Sequence, residues 1–161
     1  MAETRAKPKE LDRLDWAILG ALQRDARASR DDLAAVTGLA EAEVAERVRT
    51  LEVDGVITAY RAVVDPRKAG YALSALISLS AHPTQPDQIV NEELTLLPEV
   101  LSCWSITGTN DYLLEVQVPS LEFLEELLIE LARFGRLTTN IVLPSSEKKR
   151  VIAPPRFSMT D

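Results

Sequence analysis

Five charged side chains, Glu41, Glu43, Glu46, Arg47 and Arg49, crowd into the stretch EAEVAERVR, interleaved with small and apolar residues. An arginine fork can hold a phosphate or donate to both acceptors on a guanine edge. A glutamate can accept from the N4 amino group of cytosine, although it repels phosphate. Arg27 and Arg30 lie just upstream and could anchor the same polyanion. Glu43 also stands four residues before Arg47, a spacing that pairs the two along a helix. Catalysis has far less to work with. There is one cysteine, Cys103 in LSCWSI, and one histidine, His82 beside Pro83. No cluster has metal-ligand spacing, and neither a nucleophile elbow nor a Gly-rich phosphate loop is present. Cys103 reads as a buried structural thiol and His82 as a loop residue. No catalytic residue, metal site or cofactor is expected, and the chain is not read as an enzyme.

The charged stretch needs a helix pair to present it. Ser29 and Asp32 are spaced as a reciprocal helix cap, followed by Leu33, Ala34 and Val36 as an expected buried set. Gly38 supplies the positive φ of a sharp turn. A second helix is expected from about Glu41 to Asp54, with Val44, Val48 and Leu51 inward and Glu41, Ala42, Glu43 and Glu46 at its exposed front. Two helices across such a turn form a helix-turn-helix, whose second helix can enter the DNA major groove. An earlier helix is expected from Leu11 to near Asp25, capped by Asp12 or Asp15, with Leu14, Ala17, Ile18, Ala21 and Leu22 on one face. After Gly55, VITAYRAVVD alternates as a strand.

The second half has a different order. Strands are expected at Ala72–Ala81, Val100–Thr107, Tyr112–Val118 and Leu137–Leu143. Helices fall at Asp87–Leu97, with Ile89, Leu94 and Leu97 inward, and from Ser120 to about Phe134, with Leu121, Leu124, Leu128 and Leu131 inward. Gly108-Thr109-Asn110-Asp111 makes a turn, and a short strand is expected at Lys149–Ile152. The order β-α-β-β-α-β is ferredoxin-like. The fold class is therefore α+β: a winged helix-turn-helix domain of three helices at 11–58, a linker strand and connector at 59–71, and a ferredoxin-like domain at 72–154. Short tails occupy 1–10 and 155–161. One sheet face lacks a helical cover, which calls for a second copy of the domain.

Composition sets limits on partners. The 161 residues carry a net charge of −7; residues 1–64 hold 10 basic and 12 acidic side chains, so most of the excess acidity lies beyond them. The first half is near neutral, and local arginines can still bind phosphate there. The single cysteine excludes an internal disulfide framework, the N-terminus MAETRAKPKE lacks an apolar signal region, and no apolar run approaches a membrane span. A cytoplasmic protein is expected.

In sequence order, LDRLDWAIL, DARAS, GL, VAERVRTLEVDGVI, TAYRAVVDPRKAGY, LPEV, TGTNDYLLEV and TTNIVL resemble the Lrp/AsnC, or feast/famine, family of bacterial and archaeal transcription regulators, from Leu11 to about Val151. The resemblance implies a C-terminal domain that dimerises, often to octamers, and binds small effectors, usually amino acids, with a linker strand often shared between partners. It implies an effector site from Gly108, Thr109, Asn110, Asp111 and Tyr112, with Thr139 and Asn140 on the last strand. It also implies a pseudo-palindromic DNA site contacted by Arg27, Arg30, Glu41, Ala42, Glu43, Glu46, Arg47 and Arg49. Two positions depart from the family pattern. Ala40 stands where a capping Ser is usual, a change that costs about 1 kcal/mol of local stability. Asn110 stands where an aromatic residue is common. The reading is a DNA-binding regulator responsive to an amino acid; the alternative is a sensor or protein-interaction module that keeps a degenerate helix-turn-helix.

Overall fold

A computed structural model of the chain describes residues 10–84, 86–143 and 151–155. These fall into two compact units, one of residues up to Ala62 together with 151–155, the other from Val63 through 143.

The first unit contains α1 (Arg13–Arg24), α2 (Arg30–Thr37) and α3 (Glu41–Val53). The first two begin on reciprocal caps that satisfy otherwise orphaned N–H groups. The Asp12 carboxylate accepts from the N–H groups of Leu14 and Asp15, and Asp15 accepts from that of Asp12 at 3.2 Å. The Ser29 hydroxyl accepts from Asp32 N–H at 3.1 Å while Asp32 accepts from Ser29 N–H at 2.8 Å. Gly38, at φ 75°, closes α2 and turns the chain into α3, whose start has no side-chain cap because Ala40 occupies that position. Ile18, Leu19, Leu33, Val44 and Leu51 form the core, with Trp16, Leu22, Val48, Val56 and Ile57 packed around it.

Two expectations for this unit are corrected. Val36 points to solvent. In a helix of only two turns the inward stripe runs through Leu33, Ala34 and Thr37, and Val36 falls to its side. No wing forms either: among the described residues 56–65 contain no strand. Val56 and Ile57 spend their N–H groups on Leu51 O, closing α3, and the alternating residues beyond them have no neighbouring strand to pair with. Val63 and Val64 are left exposed.

The strand expected at Lys149–Ile152 lies partly outside the described residues, and 151–155 adopt no strand. Instead the Gln23 side-chain amide behaves as a peptide group toward Ile152, donating to its carbonyl at 3.0 Å and accepting from its N–H at 2.7 Å. Residues 151–154, expected to close the second domain, therefore group with the first unit. The tails expected at 1–10 and 155–161 lie almost wholly outside the described residues.

The second unit is an antiparallel sheet with two helices on one face: β1 (Leu73–Ala81), α4 (Asp87–Leu96), β2 (Val100–Ser105), β3 (Tyr112–Val118), α5 (Leu121–Leu131) and β4 (Gly135–Ile141), in the order β2-β3-β1-β4. Ala75, Ile77 and Leu79 of β1 and Tyr112, Leu114, Val116 and Val118 of β3 face the helices, meeting Val90 and Leu94 of α4 and Leu124, Leu127 and Leu131 of α5. Ile89 and Leu121, expected inside, are exposed. On α4 the stripe that meets the sheet is Val90, Leu94 and Leu97, and Ile89 is rotated about 100° from Val90 around the helix. Apolar residues cover so much of α5 that two stripes compete; the sheet selects Leu124, Leu127 and Leu131, leaving Leu128 at the flank and Leu121 outside. On the other face of the sheet stand Leu76, Ser78 and Ser80, with Leu113, Trp104, Thr138 and Asn140 beside them by register.

β4 can lie against β1 only because its first residue has no side chain. A Cβ at Gly135 would sit 2.0 Å from the Ser80 carbonyl oxygen. Since the clash is with backbone, Gly135→Ala is expected to lower unfolding free energy by roughly 3 kcal/mol or more. Denaturant melts at fixed protein concentration should show a lower midpoint; an unchanged midpoint would show that the strand shifts at no cost.

Candidate nucleic-acid interface and effector site

Arg47 is not free at the surface of α3. Its guanidinium Nη1 donates to Asp12 at 2.7 Å and to Asp15 at 2.9 Å, both at the start of α1, and Nε lies 3.7 Å from Glu43. The side chain retains 26% exposure, while Asp15 is the one polar residue of the described chain that is buried. A carboxylate so placed needs a paired donor. The backbone N–H of Asp15, and then Arg47, hold Asp12 below its ordinary 3.8, and the two carboxylates raise Arg47 further.

The other charged groups of α3 sort by direction. The Glu41 carboxyl is pushed up by a hydrogen bond shared with Asp31 at the start of α2, and Arg30 offsets part of that. Glu43 leans toward Arg47. Ala42, Glu46, Arg49 and Val53 follow at spacings of four, three and four, directly opposite the inward stripe of Val44, Val48 and Leu51. Glu46 and Arg49 pair at 3.4 Å with 68% and 71% of their side chains exposed. Arg27 and Arg30 are exposed at the entry to α2. At the far end of α3 the Tyr60 hydroxyl donates to Glu52 at 2.8 Å; burial, then this carboxylate, push the phenol up to about 12. The unit thus offers one solvated helix face with arginines at its flank, as a helix that enters a groove requires. Arg47, expected among the DNA contacts, reaches inward to the start of α1. The signal for its inward role was that Asp12 and Asp15 stand three apart at a helix start.

In the second unit, Gly108, at φ 129°, opens the β2–β3 turn. Asp111 fastens that turn to β1: its N–H donates to Leu79 O at 2.9 Å, its carbonyl accepts from Ile106 N–H at 2.8 Å, and carboxylate Oδ2 accepts from Ala81 N–H at 2.8 Å. Oδ1 has no partner among the described residues. Among the described residues Asn110 reaches the neighbouring Thr109 hydroxyl, at 3.3 Å. Tyr112 is turned inward, its ring buried and its hydroxyl donating to Asp87 O at 2.9 Å, where it anchors the start of α4. Thr139 and Asn140 pair with Ile77 and Leu76 on β1, so they point to opposite faces and lie roughly 7 and 10 Å along the sheet from the loop's anchor at Leu79. The chain by itself does not bring the seven effector residues into one pocket.

Elsewhere, a shallow hollow of about 230 Å³ lies among Pro86, Ile89, Val90, Glu93, Arg133 and Phe134. Arg133 there is engaged with Glu93, Glu130 and the Phe134 ring. Cys103 is half-buried with Sγ 3.5 Å from Asn91 Oδ1, and burial pushes its thiol up, away from reactive thiolate. Among the described residues no group of three or more His, Cys, Asp or Glu is placed to hold a metal, and no helix is long and apolar enough to cross a membrane.

Residues 11–52 match the AsnC-type helix-turn-helix domain, and residues 74–152 match the Lrp/AsnC ligand-binding domain. The chain belongs to the Lrp/AsnC family. It is similar to the HTH-type transcriptional regulator LrpA of Mycobacterium tuberculosis, at 37% identity over 81% of this chain and 85% of that one. The leucine-responsive regulatory protein of Escherichia coli is 34% identical over 81% of each chain. Among solved structures, a feast or famine regulatory protein from M. tuberculosis complexed with L-methionine superposes with a TM-score of 0.84 at 34% identity, covering 90% of this chain and all of that one. The helix-turn-helix of this Lrp/AsnC protein makes it a DNA-binding transcriptional regulator by family.

The Arg47 contacts predict a stability effect separable from any ligand. Arg47→Ala leaves Asp15 without its charged partner and should lower stability by about 1–2 kcal/mol. Asp12→Asn keeps the helix cap but removes a depressed carboxylate. What Asp12 contributes is present above its ordinary 3.8 and is lost as pH falls through its lower folded value. Acid titrations should therefore show a shallower loss of stability below about pH 4 in Asp12→Asn than in wild type; identical curves would remove Asp12 from the account.

Proposed function

We infer that the protein is an amino-acid-responsive regulator, working in the cytoplasm as a homodimer that can assemble further, and not as an enzyme. The observation that carries this is the solvated outer face of α3, held on a well-capped bundle and oriented by Arg47. In the dimer two such helices meet half-sites about one helical turn apart in a pseudo-palindromic duplex, with Arg27 and Arg30 on phosphates. The sheet face that carries Leu76, Leu113 and Trp104 supplies the pairing surface. The effector lies against the Gly108–Asp111 loop, where a partner subunit completes what one chain leaves open. Asp111 Oδ1 meets the effector's ammonium group, and binding shifts assembly or spacing through unequal affinity for the two states. The related protein solved with L-methionine makes an amino acid the first effector class to test.

The alternative, a sensor that has lost DNA binding, rests on the glutamates of α3. Its weight falls because Glu43 leans toward Arg47 and Glu46 pairs with Arg49.

A thermal-shift screen against the twenty amino acids tests the effector reading. A ligand at 100 times its Kd adds about 2.7 kcal/mol of stability, a readily measured rise in Tm. Asp111→Asn keeps an acceptor for Ala81 N–H and removes the charge, so it should fold normally yet lose most of that rise. A variant that responds like wild type would exclude Asp111 from the site, and a screen without any hit would leave a regulator that acts without an amino acid.

A further inference from the structure

The outward face of α3 holds only one pair of groups able to read base edges. Arg47 is committed to Asp12 and Asp15. Glu43 lies 3.7 Å from Arg47, and Glu41, three and seven residues before Val44 and Val48, falls off the face opposite the core. The Thr50 hydroxyl donates back to Glu46 O at 2.8 Å. What remains on the face opposite the core is Ala42, Glu46, Arg49 and Val53. We propose that the Glu46–Arg49 pair reads adjoining cytosine and guanine edges in the major groove, so that each half-site carries a G·C step at the centre of the α3 footprint. The proposal rests on the regulator reading above and names the sequence class which that site recognises.

The chemistry follows from donor and acceptor counts. Arginine has five N–H donors, and the bond to Glu46 occupies one, leaving enough for both acceptors of guanine. The second oxygen of Glu46 accepts from cytosine N4. The two side chains lie 3.4 Å apart, comparable with the roughly 3.4 Å rise between stacked base pairs, so both can meet neighbouring edges without breaking their own contact. Each also offsets part of the other's charge, which reduces the repulsion a lone glutamate would meet beside phosphates. Adenine is best read by a carboxamide, and α3, EAEVAERVRTLEV, contains neither Asn nor Gln. The small Ala42 lets the helix approach closely and adds at most an apolar contact to a thymine methyl.

Selection from a randomised duplex library with the full-length protein tests this, comparing wild type, Glu46→Gln and Arg49→Ala. Wild type should fix adjoining C and G in each half-site and lose at least tenfold in affinity when either pair is replaced by A·T. Glu46→Gln should exchange cytosine for adenine at one position, and Arg49→Ala should erase the guanine preference. Both positions are solvent-exposed, and unchanged helical circular dichroism will show that the variants fold. A wild-type site without a fixed G·C step, or a Glu46→Gln selection identical to wild type, overturns the proposal while leaving the regulator reading intact. Failure of wild type to enrich any sequence overturns both.

Discussion

The guanidinium of Arg47, held between Asp12 and Asp15, fixes α3 against the start of α1. Asp12 and Asp15 are the same residues that cap α1, so one pair of carboxylates both begins the first helix and aims the third. A core of five buried side chains is small, and apolar contact alone sets the direction of a helix only loosely. Directional, charge-assisted hydrogen bonds add angular definition that dispersion does not. The bundle needs it because α3 lacks a capping side chain at Ala40. Its other fixed points are the closure of its last turn by Val56 and Ile57 onto Leu51, and the Tyr60–Glu52 bond.

In the second unit, β1 plays the comparable part. It lies between β3 and β4, and the turn carrying Gly108 is tied to it through Asp111. A charge brought to Asp111 therefore acts on a carboxylate already bonded to the central strand. Gly135 allows β4 to close on the opposite side of β1 at the same end, over Ser80 and Ala81. The segment Leu79–Ala81 is thus where the turn, the central strand and an edge strand are mutually constrained.

The parts that could be read from sequence were those whose cause is local. Ser29 with Asp32, and Asp12 with Asp15, announce helix starts because a cap is a contact between residues three apart. Gly38 announces the turn because its backbone angle excludes most other residues, and the βαββαβ order emerges from alternating periods. Where the cause is distant, the signal fails. Ile89 and Val90 are equally apolar, and only the position of the sheet decides which is buried. VITAYRAVVD alternates like a strand, yet alternation states a readiness to pair, not the presence of a neighbour within the chain. Arg47 offered a local partner in Glu43 at i−4, which concealed the closer partners 35 and 32 residues away. The Gln23–Ile152 bond, spanning 129 residues, leaves no local trace at all.

Net charge is a poor guide to this surface for the same reason. A protein at −7 with three glutamates at the front of α3 looks set to repel a polyanion. Charge acts through position, however, and potentials fall off over roughly a 10 Å Debye length at 0.1 M salt. Within that distance Glu43 has Arg47 beside it and Glu46 has Arg49. Exposed Arg27 and Arg30 stand beside α2, so the surface of this unit is not one of bare carboxylates. The residual long-range repulsion comes mainly from the second half of the chain, and because salt screens it, rising ionic strength relieves part of that repulsion while weakening the arginine contacts. The two effects oppose each other, so affinity should fall less steeply with salt than the number of phosphate contacts alone would dictate.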